Sequence, residues 1–338
     1  MAHTTVLLVN LGTPDAPTTP AVRRYLRQFL GDKRVIDIPA LWRWMLVNLI
    51  IAPFRSPKSS AVYRKLWTPE GSPLLLYGQA LKEALALKLG REYHVELAMR
   101  YQSPSMTDVL ERIRRHMPQK LVVVPLYPHY ASSTTGSTVE ELMRIMKSWY
   151  VIPELHVAGQ FYNHPGYIET MAHNALRFDI ASYDHIVLSF HGLPVRQVDK
   201  VYDNGLCAEH PCETEINDKN KFCYKATCYA TSRLLAQRLG ISSENYTVAF
   251  QSRLSKKWLE PFSDEVIRHR AAAGDKRLLF FSPAFVADCL ETTVEIGIEY
   301  AEMFHKLGGQ QLDVVESLNA HPLWVETLTD IVLNGTRR

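Results

Sequence analysis

Ile186-Val-Leu-Ser-Phe-His-Gly-Leu-Pro194 opens as a short apolar run, Ile186 to Leu188, and stops at Gly192 and Pro194. An uninterrupted apolar run of this kind marks a strand buried on both faces of a parallel sheet. The glycine and proline end the strand and turn the chain. His191 therefore falls at the carboxyl end of a central strand, the edge of an open α/β sheet where ligands bind. A neutral imidazole there can bind a metal or accept a proton near physiological pH. The bland alternative is a histidine that only caps the turn.

Working outward, strand, loop and helix recur in the same order. Val6–Leu11 reads as a buried strand closed by Gly12-Thr13-Pro14. Thr19 has the character of an N-cap, with Pro20 at the first helical position of a helix over Ala21–Leu30. Gly12 alone is a weak phosphate signal, because the spaced glycines of a dinucleotide fingerprint are missing. Tyr93–Met99 and Lys120–Pro125 read as strands, preceded by amphipathic helices over Gln79–Leu89 and Met106–His116. The hydroxyl-rich loop after Tyr127 leads into a helix over Val139–Met146. Ser137 with Glu140, and Thr138 with Glu141, fit capping boxes at its start. Such a loop at a helix N-terminus can take a carboxylate or phosphate, although Ser/Thr loops are common without one. The pattern restarts around Tyr150–Tyr162, with Leu155–Ala158 a possible strand, and a second series then runs through Ile186–Phe190, Tyr246–Ala249 and Leu278–Ser282. The fold class this predicts is α/β, in two similar βαβ halves split near residue 150.

Composition excludes several classes. Apolar residues make up 46% of the 338 and charged residues 22%, as in an ordinary soluble globular protein. A net charge of +3, with the basic residues dispersed, does not suit a nucleic-acid partner. The five cysteines, with no export signal before the first strand, argue against a disulfide framework. The cytoplasm is the expected compartment.

Two stretches do not belong to the strand and helix framework. Leu41–Phe54 is strongly apolar but short, and Arg43 interrupts it, so it does not read as a membrane-spanning helix. A core helix, a membrane-surface contact and the lip of a ligand cleft compete to explain it, with Trp42 and Trp44 suited to an interface. In the second stretch, Glu291, Glu295 and Glu299 recur every four residues, with Asp288 just before them. On a helix they line one face. Buried, such a ladder acquires raised pKa values and can pass protons or cations; exposed, it is a solvated face. Leu290, Val294, Ile298 and Ala301 make a separate apolar face.

Together the motifs resolve what each leaves open. Leu-Ser-Phe-His-Gly-Leu-Pro, with Asp288-Cys-Leu-Glu-Thr downstream, closely resembles the ferrochelatases, which insert ferrous iron into protoporphyrin IX. The resemblance extends to Leu-Val-Asn-Leu-Gly-Thr-Pro near the start and Tyr127-Pro-His-Tyr-Ala-Ser-Ser-Thr-Thr-Gly-Ser137 in the middle. It continues through Phe250-Gln-Ser-Arg with Trp258-Leu-Glu-Pro261, and ends in Glu316-Ser-Leu-Asn-Ala-His-Pro-Leu. It implies two Rossmann-like halves, 1–150 and 151–315, with the active cleft between them, and a C-terminal helix in 316–338 that packs back on the first half. His191 and Glu291 match the family's active-site histidine and its partner carboxylate, catalytic residues and ligands of the substrate Fe²⁺. Asp288, Glu295 and Glu299 match a proton or metal path. Arg100, Tyr101, Tyr127, Ser133, Thr134, Ser137 and Trp258 match porphyrin-binding positions, and Leu41–Phe54 a hydrophobic lip. A coproporphyrin or other tetrapyrrole chelatase, or a non-catalytic haem- or metal-binding protein, are the alternatives.

One departure stands out. Between Pro194 and Thr231 the chain is longer than in many members of that family. The added stretch, 203–228, carries Cys207, Cys212, Cys223 and Cys228, spaced C-x₄-C-x₁₀-C-x₄-C. Four thiolates suit a [2Fe–2S] cluster or structural Zn²⁺; the resemblance favours the cluster, since some ferrochelatases carry one. Cys289, in the acidic segment, reads as a small buried residue.

Overall fold

The computed structural model describes residues 3–203 and 205–335. Its residues divide into two compact units, one of Met1–Tyr127, Ala131–Gly159 and Val325–Arg338, the other of Pro128–Tyr130 and Gln160–Trp324.

The first unit is built on β1 (Thr4–Gly12), whose Val6, Leu7, Leu8 and Val9 are fully buried. Helix α1 (Thr19–Gly31) follows, then α2 (Ala40–Met45), a π-helical turn over Leu46–Ile51, and α3 (Ala52–Leu66). Helix α4 (Pro73–Leu89), β2 (Tyr93–Tyr101), α5 (Met106–His116) and β3 (Lys120–Pro125) come next. A π-helical turn over Ser132–Gly136 leads into α6 (Ser137–Met146) and β4 (Glu154–Val157). The sheet is parallel throughout, in the order β2-β1-β3-β4. Burial on both faces explains why β1 shows no alternation: one face meets Val109, Leu110 and Ile113 of α5, while Val22, Tyr25 and Leu26 of α1 form a separate buried cluster with Tyr101. Gly12 closes β1 at φ +114°, where a Cβ would stand 2.0 Å from the Tyr101 carbonyl oxygen. Only glycine lets the two strands stay paired to their ends.

The second unit holds α7 (Pro165–Ala175), β5 (His185–His191), α8 (Val195–Val198) and α9 (Tyr224–Leu239). It continues through β6 (Tyr246–Gln251), α10 (Ser263–Ala272), β7 (Arg277–Phe281), a π-helix over Glu291–Tyr300, α11 (Ala301–Lys306) and β8 (Gln311–Val314). Helix α12 (Pro322–Asn334) follows, and from Val325 onward it is counted with the first unit. The strand order β6-β5-β7-β8, again all parallel, repeats that of the first unit. The α/β class with two parallel sheets flanked by helices is therefore the observed one.

Several local expectations change. Thr18, not Thr19, is the N-cap of α1, and its side chain makes no capping bond. Strand β2 runs on through Arg100 and Tyr101, paired to Gly12. Neither capping box forms at α6, because its first turn continues from the π-helical turn and needs no cap. Charged partners draw those side chains away instead: Ser137 donates to Asp32, and Glu140 pairs with Lys33 and Arg34. The core-helix reading of Leu41–Phe54 fails. Trp42, Trp44 and Phe54 are 62%, 57% and 75% exposed, with only Val47 and Ala52 of the run buried.

The acidic segment differs too. It is a π-helix, a form rare at this length and frequent at functional sites. Of the expected apolar face Val294 is fully buried, and Ile296 and Tyr300, continued by Phe304 of α11, form a second buried row outside that face.

Candidate active site

Strand β5 delivers His191 to the sheet edge, half-buried after six buried residues. Its Nδ1 lies 2.7 Å from the Gly192 carbonyl oxygen. A carbonyl can only accept, so Nδ1 carries the proton and the neutral ring keeps its lone pair on Nε2. The backbone around it is tightly held. Tyr224 donates its hydroxyl to the His191 carbonyl at 2.9 Å. A Cβ at Gly192 would press on the Gln251 carbonyl oxygen and the Trp258 ring, at 2.9 and 3.1 Å. Trp258 is brought beside His191 by the Leu259 N–H bond to Leu193 O and the Val195 N–H bond to Lys257 O. The Trp258 and Phe285 rings both lie 6.3 Å from the imidazole, giving it an aromatic wall.

The π-helix brings the carboxylates into the same electrostatic neighbourhood. Glu295 accepts from the Ser252 N–H at 2.9 Å, from the Ser252 hydroxyl, and from the Tyr300 hydroxyl at 3.0 Å. Burial raises its pKa and the charge of Glu291 raises it further, while Ser252, Tyr300 and the nearby His191 work the other way. Ser252, at the end of β6, holds φ +62°, a strained conformation for a residue with a Cβ. Nothing in the sequence marks Ser252 or Tyr300 as partners of Glu295. Glu291 is half-buried at the first position of the π-helix, and Glu299 is exposed. The three glutamates thus run from the interior to solvent.

Asp288 takes a different part. It accepts from Asn319 Nδ2 at 2.7 Å, the Thr292 hydroxyl at 3.0 Å and the Ser317 N–H at 3.2 Å. Those bonds tie the start of the π-helix to the Ser317–Asn319 turn. Cys289 is buried, as expected; burial first and then the nearby Glu291 charge push its thiol pKa well up.

In the first unit, three of the sequence-derived residues converge on a carboxylate that the sequence did not flag. Asp32 accepts from Arg100 Nη2 at 2.7 Å, the Tyr101 hydroxyl at 2.9 Å and the Ser137 hydroxyl at 2.5 Å. Burial alone would raise the Asp32 pKa, but Ser137, the Arg34 N–H, Tyr101 and Arg100 together hold it below the ordinary value. Arg100 is therefore half of an internal ion pair and not a free cation. Tyr127 is buried beyond β3, and Ser133 and Thr134 lie in the π-helical turn.

The cysteines converge only in part. Sγ of Cys207 lies 3.7 Å from that of Cys212 and 3.5 Å from that of Cys223, and the remaining edge is 3.7 Å. All three residues are buried. Cys223 is the N-cap of α9, and donation from Cys207 and Cys212 lowers the pKa of its thiol. Cys228 lies outside this triad, within α9, buried beside Tyr224 and Tyr167. Helix geometry separates it: five residues along the helix from Cys223, it does not share that residue's face.

The ferrochelatase family model matches residues 3–336. A ferrochelatase of Coxiella burnetii is 43% identical over 327 residues, covering 96% of this chain and 91% of the relative. One of Legionella pneumophila is 43% identical over 328 residues, covering 97% and 98%. Among solved structures, the sirohydrochlorin chelatase SirB of Bacillus subtilis subspecies spizizenii, in complex with cobalt, aligns with TM-score 0.54 at 11% identity. That alignment covers 99% of this chain and 95% of that one, and shows the shared fold. With two matching parallel sheets and a family match over nearly its whole length, the chain belongs to the ferrochelatase family, the enzymes that insert Fe²⁺ into a porphyrin in haem biosynthesis.

Proposed function

We propose that the porphyrin is protoporphyrin IX and that His191 and Glu291 carry the metallation. The observation supporting this is the lock on the imidazole: with Nδ1–H spent on Gly192 O, the free lone pair is Nε2. Metallation exchanges two pyrrole protons for one Fe²⁺. It needs a base for the protons and a ligand that releases the metal. Nε2 of His191 and the Glu291 carboxylate supply nitrogen and oxygen donors of moderate affinity, suited to holding iron briefly. Glu295, with its raised pKa, and exposed Glu299 give released protons a route to solvent. Asp288 anchors the helix that carries them. Trp258 beside His191 gives the macrocycle an aromatic face, and a ring bent by binding presents its nitrogen lone pairs. Arg100, Tyr101, Tyr127, Ser133, Thr134 and Ser137 of the first unit are kept as porphyrin-binding positions on the family resemblance. There Asp32 sets the positions of Arg100, Tyr101 and Ser137.

Two further parts belong to this reading. The exposed Leu41, Trp42, Trp44, Leu49, Ile50 and Phe54 form an apolar patch on a helix interrupted by Arg43. It suits contact of a cytoplasmic enzyme with a membrane surface. No described helix is long and apolar enough to cross a membrane. The cysteine centre is the other part. Three clustered buried sulfurs at a helix N-terminus fit a thiolate-ligated metal group, here a [2Fe–2S] cluster held by Cys207, Cys212 and Cys223, with Cys228 as the fourth candidate. Such a group supplies electron-transfer chemistry or structural closure, and the polar insertion gains order from it.

One anaerobic preparation tests all three parts. Incubated with Fe²⁺ and protoporphyrin IX, it is expected to develop the haem spectrum. Turnover only with coproporphyrin would move the assignment to that substrate, and failure with every porphyrin would favour a binding protein. The same protein should sediment with anionic vesicles, and replacing Trp42 and Trp44 with Ser should abolish this; unchanged sedimentation removes the membrane contact. Acid-labile sulfide with about two irons per chain is expected for the cluster. One zinc and no sulfide would replace the cluster by a structural ion.

A further inference from the structure

The cysteine triad has a neighbour that no C-x₄-C spacing announces. Tyr202 and His210 flank the segment entering the centre, and their rings stack 4.0 Å apart at 9°. The Tyr202 hydroxyl lies 3.1 Å from Cys212 Sγ. Both rings are half-buried, whereas Cys207, Cys212 and Cys223 are 4%, 1% and 0% exposed. The stacked pair thus reaches from partly exposed rings to the buried Cys212 sulfur through the Tyr202 hydroxyl.

The backbone holds them there. His210 N–H donates to Cys207 O at 3.2 Å, and Cys212 N–H to His210 O at 2.7 Å. On the Tyr202 side, Cys207 N–H donates to Asp199 Oδ1 at 2.8 Å, and Tyr202 N–H to Asp199 O at 3.0 Å. Asp199 thus fixes the register between Tyr202 and Cys207. A phenol has a proton to give and a metal-bound thiolate has none. With the centre loaded, the O–H···S bond runs from Tyr202 to Cys212.

We propose that Tyr202 is a positioning residue of the cysteine centre, donating to the Cys212 thiolate, and that its stack on His210 closes the centre to water and chelators. This rests on the reading that the cysteines hold a metal group. A donor to a ligating sulfur fixes that ligand's rotamer and draws charge from the sulfur–metal bond. Partners of this kind are worth about 10–100-fold in metal affinity. The stack contributes by holding the hydroxyl at the sulfur, against the freedom of a half-buried side chain to swing into water.

The test uses full-length wild-type, Tyr202→Phe and His210→Ala proteins, purified anaerobically and analysed for metal and acid-labile sulfide. Each is then challenged with EDTA while sulfur-to-metal absorption is followed, in cobalt-substituted protein where the ion is zinc. Tyr202→Phe keeps the ring and the stack and loses only the donor. It is expected to lose metal about tenfold faster than wild type and to shift the absorption band. His210→Ala should also lose metal faster. Where Tyr202→Phe fails to fold, His210→Ala decides. Equal release and an unshifted band in Tyr202→Phe, with wild-type metal content, would overturn the proposal while leaving the centre standing. Wild-type protein free of metal and sulfide would overturn the centre and the proposal with it.

Discussion

Alanine at His191 is expected to lower the metallation rate by at least about a hundredfold while the protein folds and still binds porphyrin. The imidazole lies at the half-buried end of β5, beyond the buried run Ile186–Phe190. Truncation there opens no cavity in the sheet's core, so little stability should be lost. What disappears is the one lone pair the local structure leaves free. Nδ1 is committed to Gly192 O. A positioned proton acceptor contributes about 10²–10⁴-fold to a rate. The check is turnover measured beside far-UV circular dichroism and porphyrin fluorescence quenching. Near-normal turnover in a folded, porphyrin-binding variant would remove His191 from the mechanism.

Glutamine at Glu291 should lower kcat by about a hundredfold, with KM for porphyrin little changed. The substitution keeps the shape of the side chain and an accepting oxygen. It removes the negative charge that makes the side chain a metal ligand and proton acceptor. A kcat loss without a KM change marks an interaction made during the reaction and not in binding the ring. A Glu291→Gln protein that fails to fold would show a structural carboxylate instead. Asp288→Asn provides the contrast. Asp288 is committed to Asn319, Thr292 and Ser317, so its loss should reach stability before rate.

The framework was legible because it is written in runs and periods. Val6–Val9 and Ile186–Leu188 are unbroken apolar stretches because both faces of their strands are covered, and no other local arrangement needs that pattern. Helix α5 has the bounds expected of it. Its Met106, Val109, Leu110 and Ile113 follow one 3.6-residue stripe, and Ser105 caps it by accepting the Asp108 N–H. The place of His191 followed from the same logic, since a glycine and a proline close the run that precedes it.

The partners of the charged residues were not legible, because they come from other elements. Asp32 follows α1 as an ordinary acidic residue, and only the packed sheet places Arg100, Tyr101 and Ser137 around it. Ser252 looks like any loop serine until the end of β6 meets the π-helix at Glu295. The Glu291–Tyr300 segment has a spacing that suits an α-helix, yet it folds as a π-helix with Ile296 and Tyr300 in the core of the second unit.

By itself, then, the sequence determined the two parallel sheets, the strand that carries His191 and the residues able to do acid–base or ligand chemistry. These follow from local periodicity and side-chain type. Tertiary structure alone decided which of the four cysteines meet, which carboxylate is held by Asn319, Thr292 and Ser317, and that the Trp42 and Trp44 run is exposed and not core. The physical reason is distance along the chain. Hydrogen bonds and desolvation act between groups brought together from remote segments, and no local pattern encodes them.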